Sequence, residues 1–426
     1  MTRGLCPILA VLILSMHQPA AAQGSSAGDA AGESAFSRSR NVSVRERPRP
    51  EYEALGIHAG AFYIFPKITG GLTYDDNIFA TANNEESDWL YSLTPSVQVT
   101  SDWNRHMLEA SASLNRTVYG DNSDEDFTTW TVSTDGRLDV DRNFYLSALG
   151  RYSRMVEPRT AIEAFQNVSR PVRYDRRDIT VGGVKTFNRL RFNGTLDYSD
   201  YIFRNGRTRT GALVNLKFRD DKITTGTLRA DYTISPDTFV FVKGAYNTHE
   251  HRFNQGLTRD SDGYEFTAGA DFDVTNLMRG QMEVGYLRQD YDTAIYGSFT
   301  GLQVRGRLEY FPTQLTTVTL AASRDVQDSG IPTSPGYLST AVGLQLDHEL
   351  LRNVIITGRG DYEHATYRGI DREDDRYNLS LGGTYLVNRK VGLSLTYNYL
   401  NQESDGLDQG AGFDDNRLLA TVTLQY

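Results

Sequence analysis

Residues 391–399, VGLSLTYNY, place Val391, Leu393, Leu395, Tyr397 and Tyr399 on one side of an extended chain and Gly392, Ser394, Thr396 and Asn398 on the other. Successive side chains of a β-strand point to opposite faces, so this stretch specifies a strand with one apolar and one polar face. The pattern returns in residues 377–385 (YNLSLGGTY), 190–198 (LRFNGTLDY) and 302–310 (LQVRGRLEY). Apolar residues sustained at i, i+3, i+4, i+7, which a helical core needs, are hard to find. A chain patterned in this way must pair strand against strand.

Alternation alone also suits a half-buried sheet of a water-soluble sandwich, and the spacing of the loops decides between the two. Tight turns fall at residues 103–105, 141–143, 187–189, 235–237, 275–276, 312–313, 351–353 and 388–389, and long polar connections fall between them. The long ones lie near Asn83 and Asp124 and at 157–175, 203–221, 249–262, 325–335, 368–375 and 402–414. Short and long connections alternating along the whole chain are the mark of an outer-membrane barrel, with short periplasmic turns and long extracellular loops. About eight turns and nine loops give an all-β, transmembrane, antiparallel up-and-down barrel of about 18 strands. Sixteen is the alternative count if one hairpin is miscounted. Such a barrel needs only every second strand residue to be apolar, which accommodates a mean hydropathy of -0.47. Aromatic residues gather at strand ends, at Tyr198, Tyr201, Tyr246, Tyr286, Tyr310, Phe311, Tyr362, Tyr397 and Tyr399, where amphipathic rings suit headgroup depth.

The 426 residues divide into three parts. Arg3, an apolar run at residues 5–16 and Ala20-Ala21-Ala22 predict a signal peptide over 1–22, because the run is shorter than the roughly 20 apolar residues a membrane-spanning helix needs. Its Cys6 is the only cysteine, so the mature chain is expected to carry no disulfide. Residues 23–57, rich in Ser, Ala, Gly, Arg and Pro, read as a flexible periplasmic extension, and 58–426 as the barrel. In the last strand Leu418, Ala420, Val422, Leu424 and Tyr426 share a face. A final strand ending on an aromatic residue resembles the signal read by the barrel assembly machinery, carried here by Val422, Leu424 and Tyr426.

The junction at residues 47–80, RPRPEYEALGIHAGAFYIFPKITGGLTYDDNIFA, contains Arg49-Pro50-Glu51-Tyr52, Gly56-Ile57, Gly60-Ala61-Phe62, Pro66 and Tyr74-Asp75-Asp76-Asn77-Ile78-Phe79. It resembles the β-barrel porin 2 family of Gram-negative outer-membrane proteins. The resemblance implies an outer-membrane location and, from relatives in exopolysaccharide or capsule export, a conduit for a secreted polysaccharide, with a periplasmic export protein as partner. The alternatives weighed beside it are a general or substrate-specific diffusion porin for small solutes, and a surface-binding or adhesion barrel whose acidic loops bridge cations and lipopolysaccharide. In Tyr74, Asp75, Asp76 and Asn77 the motif reads as strand punctuation, since Asp and Asn bond their own backbone at turns.

Chemistry-bearing motifs are sparse. There is no G-x-S-x-G nucleophile, no Gly-rich phosphate loop and no basic patch for nucleic acid, so neither an enzyme nor a cofactor is expected. His249 and His251 share a strand face but lack an evident third ligand, so they read as a solvated loop pair and no metal is expected. The polar face is the informative one. Arg151, Arg191, Asp197, Arg229, Asp231, Glu283, Arg305, Arg307, Glu309, Arg359 and Asp361 are predicted to line the pore, because an Arg or Lys facing lipid at midplane costs about 2–4 kcal/mol. Glu109, Lys243, Glu265, Asp271 and Glu363 fall on the same side.

Overall fold

The computed structural model describes residues 42–165, 167–252, 258–275 and 277–426. The signal peptide and residues 23–41 of the extension lie outside the described residues.

After a short strand, β1 (Ile57–Ala59), the wall begins with β2 (Phe62–Asp75), β3 (Asp88–Ser101), β4 (Met107–Tyr119), β5 (Phe127–Asp141), β6 (Phe144–Val156), β7 (Arg173–Phe187) and β8 (Leu190–Phe203). A small hairpin, β9 (Gly206–Arg207) with β10 (Leu213–Val214), decorates one loop. The wall continues through β11 (Asp221–Ser235), β12 (Thr238–His251), β13 (Ser261–Thr275), β14 (Met278–Tyr291), β15 (Ser298–Thr313) and β16 (Thr316–Asp328). It ends with β17 (Gly336–Leu351), β18 (Val354–Tyr367), β19 (Glu373–Asn388), β20 (Val391–Asp405) and β21 (Phe413–Gln425). Each wall strand pairs antiparallel with the next, and β21 returns to β2 in register from Lys67↔Gln425 to Asp75↔Arg417. The result is a closed ring of 18 strands. Closure leaves the sheet without an open edge, whose N–H and C=O groups would each cost several kcal/mol if left unpaired in hydrocarbon.

Loops alternate as the sequence indicates, with one further connection that the polar pattern does not mark, residues 292–297 between β14 and β15. Ladder registers shift beside six of the short turns, for example between Thr233 and Ser235 and between Glu349 and Leu351. Such bulges add local twist where the chain must reverse tightly. Wall strands run to 13–16 residues, longer than the 10 or so a bilayer requires, because their outer ends continue as polar, ion-paired strand that packs against the loops.

The apolar face points outward, with Leu228, Val242, Phe266, Met282 and Leu381 among its most exposed members. Tyr246, Tyr286, Tyr310, Tyr362 and Tyr397 stand on that face near the strand ends, and Tyr74 meets Trp89 at 5.2 Å between ring centroids. Two of the expected girdle residues turn the other way. Tyr201 and Phe311 are buried on the inner face, since each sits one position out of phase with its lipid-facing neighbour.

The segment from residue 42 onward differs from the expected flexible extension. Val44 is fully buried, and its N–H donates to Thr317 Oγ1 at 3.0 Å. Arg45 pairs with Asp347 at 2.8 Å, Arg49 with Glu349 at 2.8 Å and Glu46 with Arg279 at 2.6 Å. Composition alone suggested too little apolar surface to order this segment. The order comes from charge-assisted bonds to acidic and basic groups already fixed on the wall.

Candidate functional site: the lumen and its two crossings

All eleven residues expected to line the pore lie on the inner face, opposite the exposed apolar residues of their strands. Nine are locked in ion pairs. Arg191 and Arg229 share Asp231 at 2.9 and 2.7 Å, Arg307 pairs with Glu309 at 2.9 Å and Arg359 with Asp361 at 2.7 Å. Glu283 takes Lys243 at 2.8 Å and Arg305 at 3.0 Å, and the chain of contacts extends to Glu265 at one end and Asp325 at the other. That row of alternating charge runs across β12 to β16. Residues i and i+2 of a strand share a face, so Arg-x-Asp and Arg-x-Glu pairs form within single strands and recur around the wall. Asp197 accepts Thr180 Oγ1 at 2.6 Å, and Arg151 is exposed to the interior. Compensation on this scale gives the wall stiffness and a hydrogen-bonding surface with neither sign in excess along that belt.

The family motif forms a latch across the closing seam. Asp75, almost fully buried, takes Arg417 Nε at 2.9 Å and the Asn77 N–H at 3.0 Å. Asp76 accepts the N–H and Nδ2 of Asn416 at 2.7 and 2.8 Å. Asn77, wholly buried, donates Nδ2 to the carbonyls of Thr81 and Asp414 at 2.9 and 2.7 Å. Tyr74, the fourth motif residue, stays on the outer face. Three consecutive side chains, at the end of the first wall strand and just past it, thus hold the last one. The motif does end the strand, with Asp75 accepting the Asn77 N–H and Asn77 bonding Thr81, and the sequence reading missed its second set of partners, more than 330 positions away on β21. Asp415 joins Asp75 and Asp76 in one acidic group, with Arg417 bonded to both Asp75 and Asp415. At the opposite end Val422, Leu424 and Tyr426 face outward, and the Tyr426 N–H donates to the Pro66 carbonyl at 3.2 Å. Gly56 there adopts φ +69°, and a Cβ on it would fall 2.6 Å from the Phe65 ring.

Two segments cross the interior. The first is loop 157–172, between β6 and β7. It reaches β17, nine strands further round the ring of eighteen, which is the opposite wall. Its Thr160 carbonyl accepts Arg376 Nη2 at 2.5 Å and its Ile162 carbonyl accepts Arg372 Nη2 at 3.0 Å. Glu163 accepts Ser329 Oγ at 2.6 Å together with the Gly330 N–H. Burial in the loop layer pushes the Glu163 carboxyl above its ordinary value despite these bonds. Ile162 packs with Tyr337, Ala365 and Tyr367, while Val168 and Val172 pack with Tyr201, Phe203, Leu216 and Phe218. Near its base Arg159 grips Glu125 at 2.7 Å, and Glu157 takes Arg219 of the next loop at 2.8 Å. Phe79 of the family motif lies under the guanidinium groups of Arg159 and Arg209 at 5.9 and 5.1 Å. The second crossing is the N-terminal segment 43–53, docked at the short-turn end.

The His249–His251 pair is also placed differently from the expectation. Both side chains turn inward rather than into solvent, and His249 Nδ1 lies 3.0 Å from Asp221 and 3.2 Å from Asp328. Those carboxylates come from β11 and β16, so spacing within one strand could not reveal them.

Closed wall, outward apolar belt and an ion-paired interior crossed by a loop together define an outer-membrane β-barrel of the porin type. The chain belongs to the family described as "Putative beta-barrel porin 2", which matches residues 49–426. No curated protein matches the sequence. Among solved structures it is similar to OccK1 (OpdK) of Pseudomonas aeruginosa, with 11% identity, 85% of this chain and 99% of that one covered and a TM-score of 0.47. OccAB3 of Acinetobacter baumannii gives 12% identity, 86% and 100% coverage and a TM-score of 0.47. The siderophore receptor PiuA of Acinetobacter baumannii gives 10%, 87% and 82%, and 0.48.

Proposed function

We propose that the protein is a diffusion porin for small hydrophilic solutes in the outer membrane of a Gram-negative bacterium. The observation that carries this reading is loop 157–172, tied by Arg376 of β19 and by Ser329 and Arg372 of the loops flanking β17 and β18 to the side of the barrel opposite its base. A segment fixed across the lumen leaves narrow passages beside it, which suits solutes of sugar or amino-acid size. A polysaccharide conduit needs a continuous wide bore, and it is therefore the less favoured reading. Compensated charges on the wall offer hydrogen bonds to uncharged polar groups, in keeping with a solute that needs no net charge. The protein acts as a passage, with no catalytic step. Deleting the gene should slow uptake of a limiting small hydrophilic nutrient and leave secreted polysaccharide unchanged. Unchanged uptake with lost polysaccharide secretion would reverse the choice between the two readings.

A further inference from the structure

Beneath the loop layer lies a cavity of about 50 Å³ whose lining includes Asp221, His251, Asp328, Glu163, Arg219 and Arg259. Space of this size holds one ion with a water or two. His251 is 93% buried; its Nε2 faces Asp328 Oδ2 at 4.0 Å, and its Nδ1, 3.6 Å from Asp260 Oδ1, has no hydrogen-bond partner. Asp221 is 96% buried, and its Oδ1 also lacks a partner. Leaving such groups buried and unpaired is costly, and more so for a charge.

One ligand atom from each of Asp221, His251 and Asp328 can be chosen so that all three lie within 4.8 Å of one another. His249 takes up the other Asp221 oxygen, Oδ2, at 3.0 Å and Asp328 Oδ2 at 3.2 Å. It stands where an outer-shell residue orients metal-binding carboxylates. The two guanidinium groups in the lining are engaged elsewhere. Arg219 bonds Glu157 at 2.8 and 3.0 Å, and Arg259 bonds the carbonyls of Ser329 and Phe218 at 2.5 and 2.8 Å. Neither pairs with Asp221 or Asp328.

We propose that Asp221, His251 and Asp328 bind one divalent first-row transition-metal ion, of which Zn²⁺ is the representative. One imidazole and two carboxylates match the mixed nitrogen and oxygen donors such ions take at about 2.0–2.2 Å, whereas Ca²⁺ and Mg²⁺ favour all-oxygen sets. Asp221 and His251 belong to β11 and β12, while Asp328 ends β16, four strands beyond β12. The ion clamps the outer ends of separate wall strands under loop 157–172. The site stands independently of which solute crosses the barrel.

The test uses the full-length protein refolded in detergent, with any histidine tag removed and metal stripped by EDTA. Isothermal titration should show one equivalent of Zn²⁺ binding at least tenfold more tightly than Mg²⁺ or Ca²⁺. His251→Ala and Asp328→Asn should each weaken Zn²⁺ binding at least tenfold while keeping the heat-dependent gel shift of a folded barrel. His348→Ala, at the far end of the wall beside Thr316, should bind as the parent does. Should His251→Ala fail to fold, Asp328→Asn, a near-isosteric change at a half-buried position, gives the reading. Zn²⁺ binding no tighter than Mg²⁺, or equal Zn²⁺ binding by the parent and a folded Asp328→Asn, overturns the proposal.

Discussion

Asn77 shows why a short motif can matter to a barrel that owes most of its stability to strand pairing. Its side chain, itself wholly buried, serves the Thr81 N–H and carbonyl and the Asp414 carbonyl. Asn77→Ala removes those partners and should cost about 2 kcal/mol, seen as a lower temperature for loss of the folded band in SDS gels. Asn83→Ala, on the exposed part of the same loop, should leave that temperature unchanged. Glu46 gives a pH dependence. Burial works to raise its carboxyl, yet the Arg279 guanidinium beside it holds it below the ordinary value of 4.5. A depressed folded-state value means the contact contributes fully above pH 4.5 and is lost as pH falls further, through the folded value. Hydrogen exchange across residues 43–53, corrected for intrinsic rates, should therefore rise on acidification below that point. Protection that holds steady there, or a rise already complete at pH 6, would remove Glu46 as an anchor.

Among the elements, strands were legible and crossings were not. Val391 to Tyr399 and the three stretches like it declare their faces through local alternation, which needs no knowledge of the partner strand. Loop 157–172 has no such internal signal. Its fixed path depends on Arg372, Arg376 and Ser329, far along the chain, and polar loop composition gives no hint of which side of the barrel a loop enters. The same holds for His251, whose neighbours Asp221 and Asp328 are brought close only by the ring of strands. The eleven inner-face charges were readable because phase within a strand sets them, but their pairing across strands was not. Arg372→Ala would leave Asp374 buried without its guanidinium, a loss of about 3–5 kcal/mol, and would free the Ile162 carbonyl. Together with Arg376→Ala it should loosen the crossing and raise single-channel conductance above that of the parent. Equal conductance would show that the loop does not set the narrowest point.

At the scale of the whole molecule, eighteen strands give a wall wide enough for an aqueous channel, and two segments then narrow it from either end. The outer crossing is held by packed side chains as well as ion pairs, so it behaves as part of the wall and not as a free loop. The N-terminal segment is held mainly by charged pairs, which makes it the crossing more sensitive to salt and pH. Solute flux through proteoliposomes measures whether loop 157–172 sets a narrow lumen. Monosaccharides should equilibrate through the parent protein while polysaccharide chains stay trapped, and Arg372→Ala with Arg376→Ala should admit larger oligosaccharides. Polysaccharide crossing the parent barrel as readily as glucose would contradict a lumen narrowed by loop 157–172.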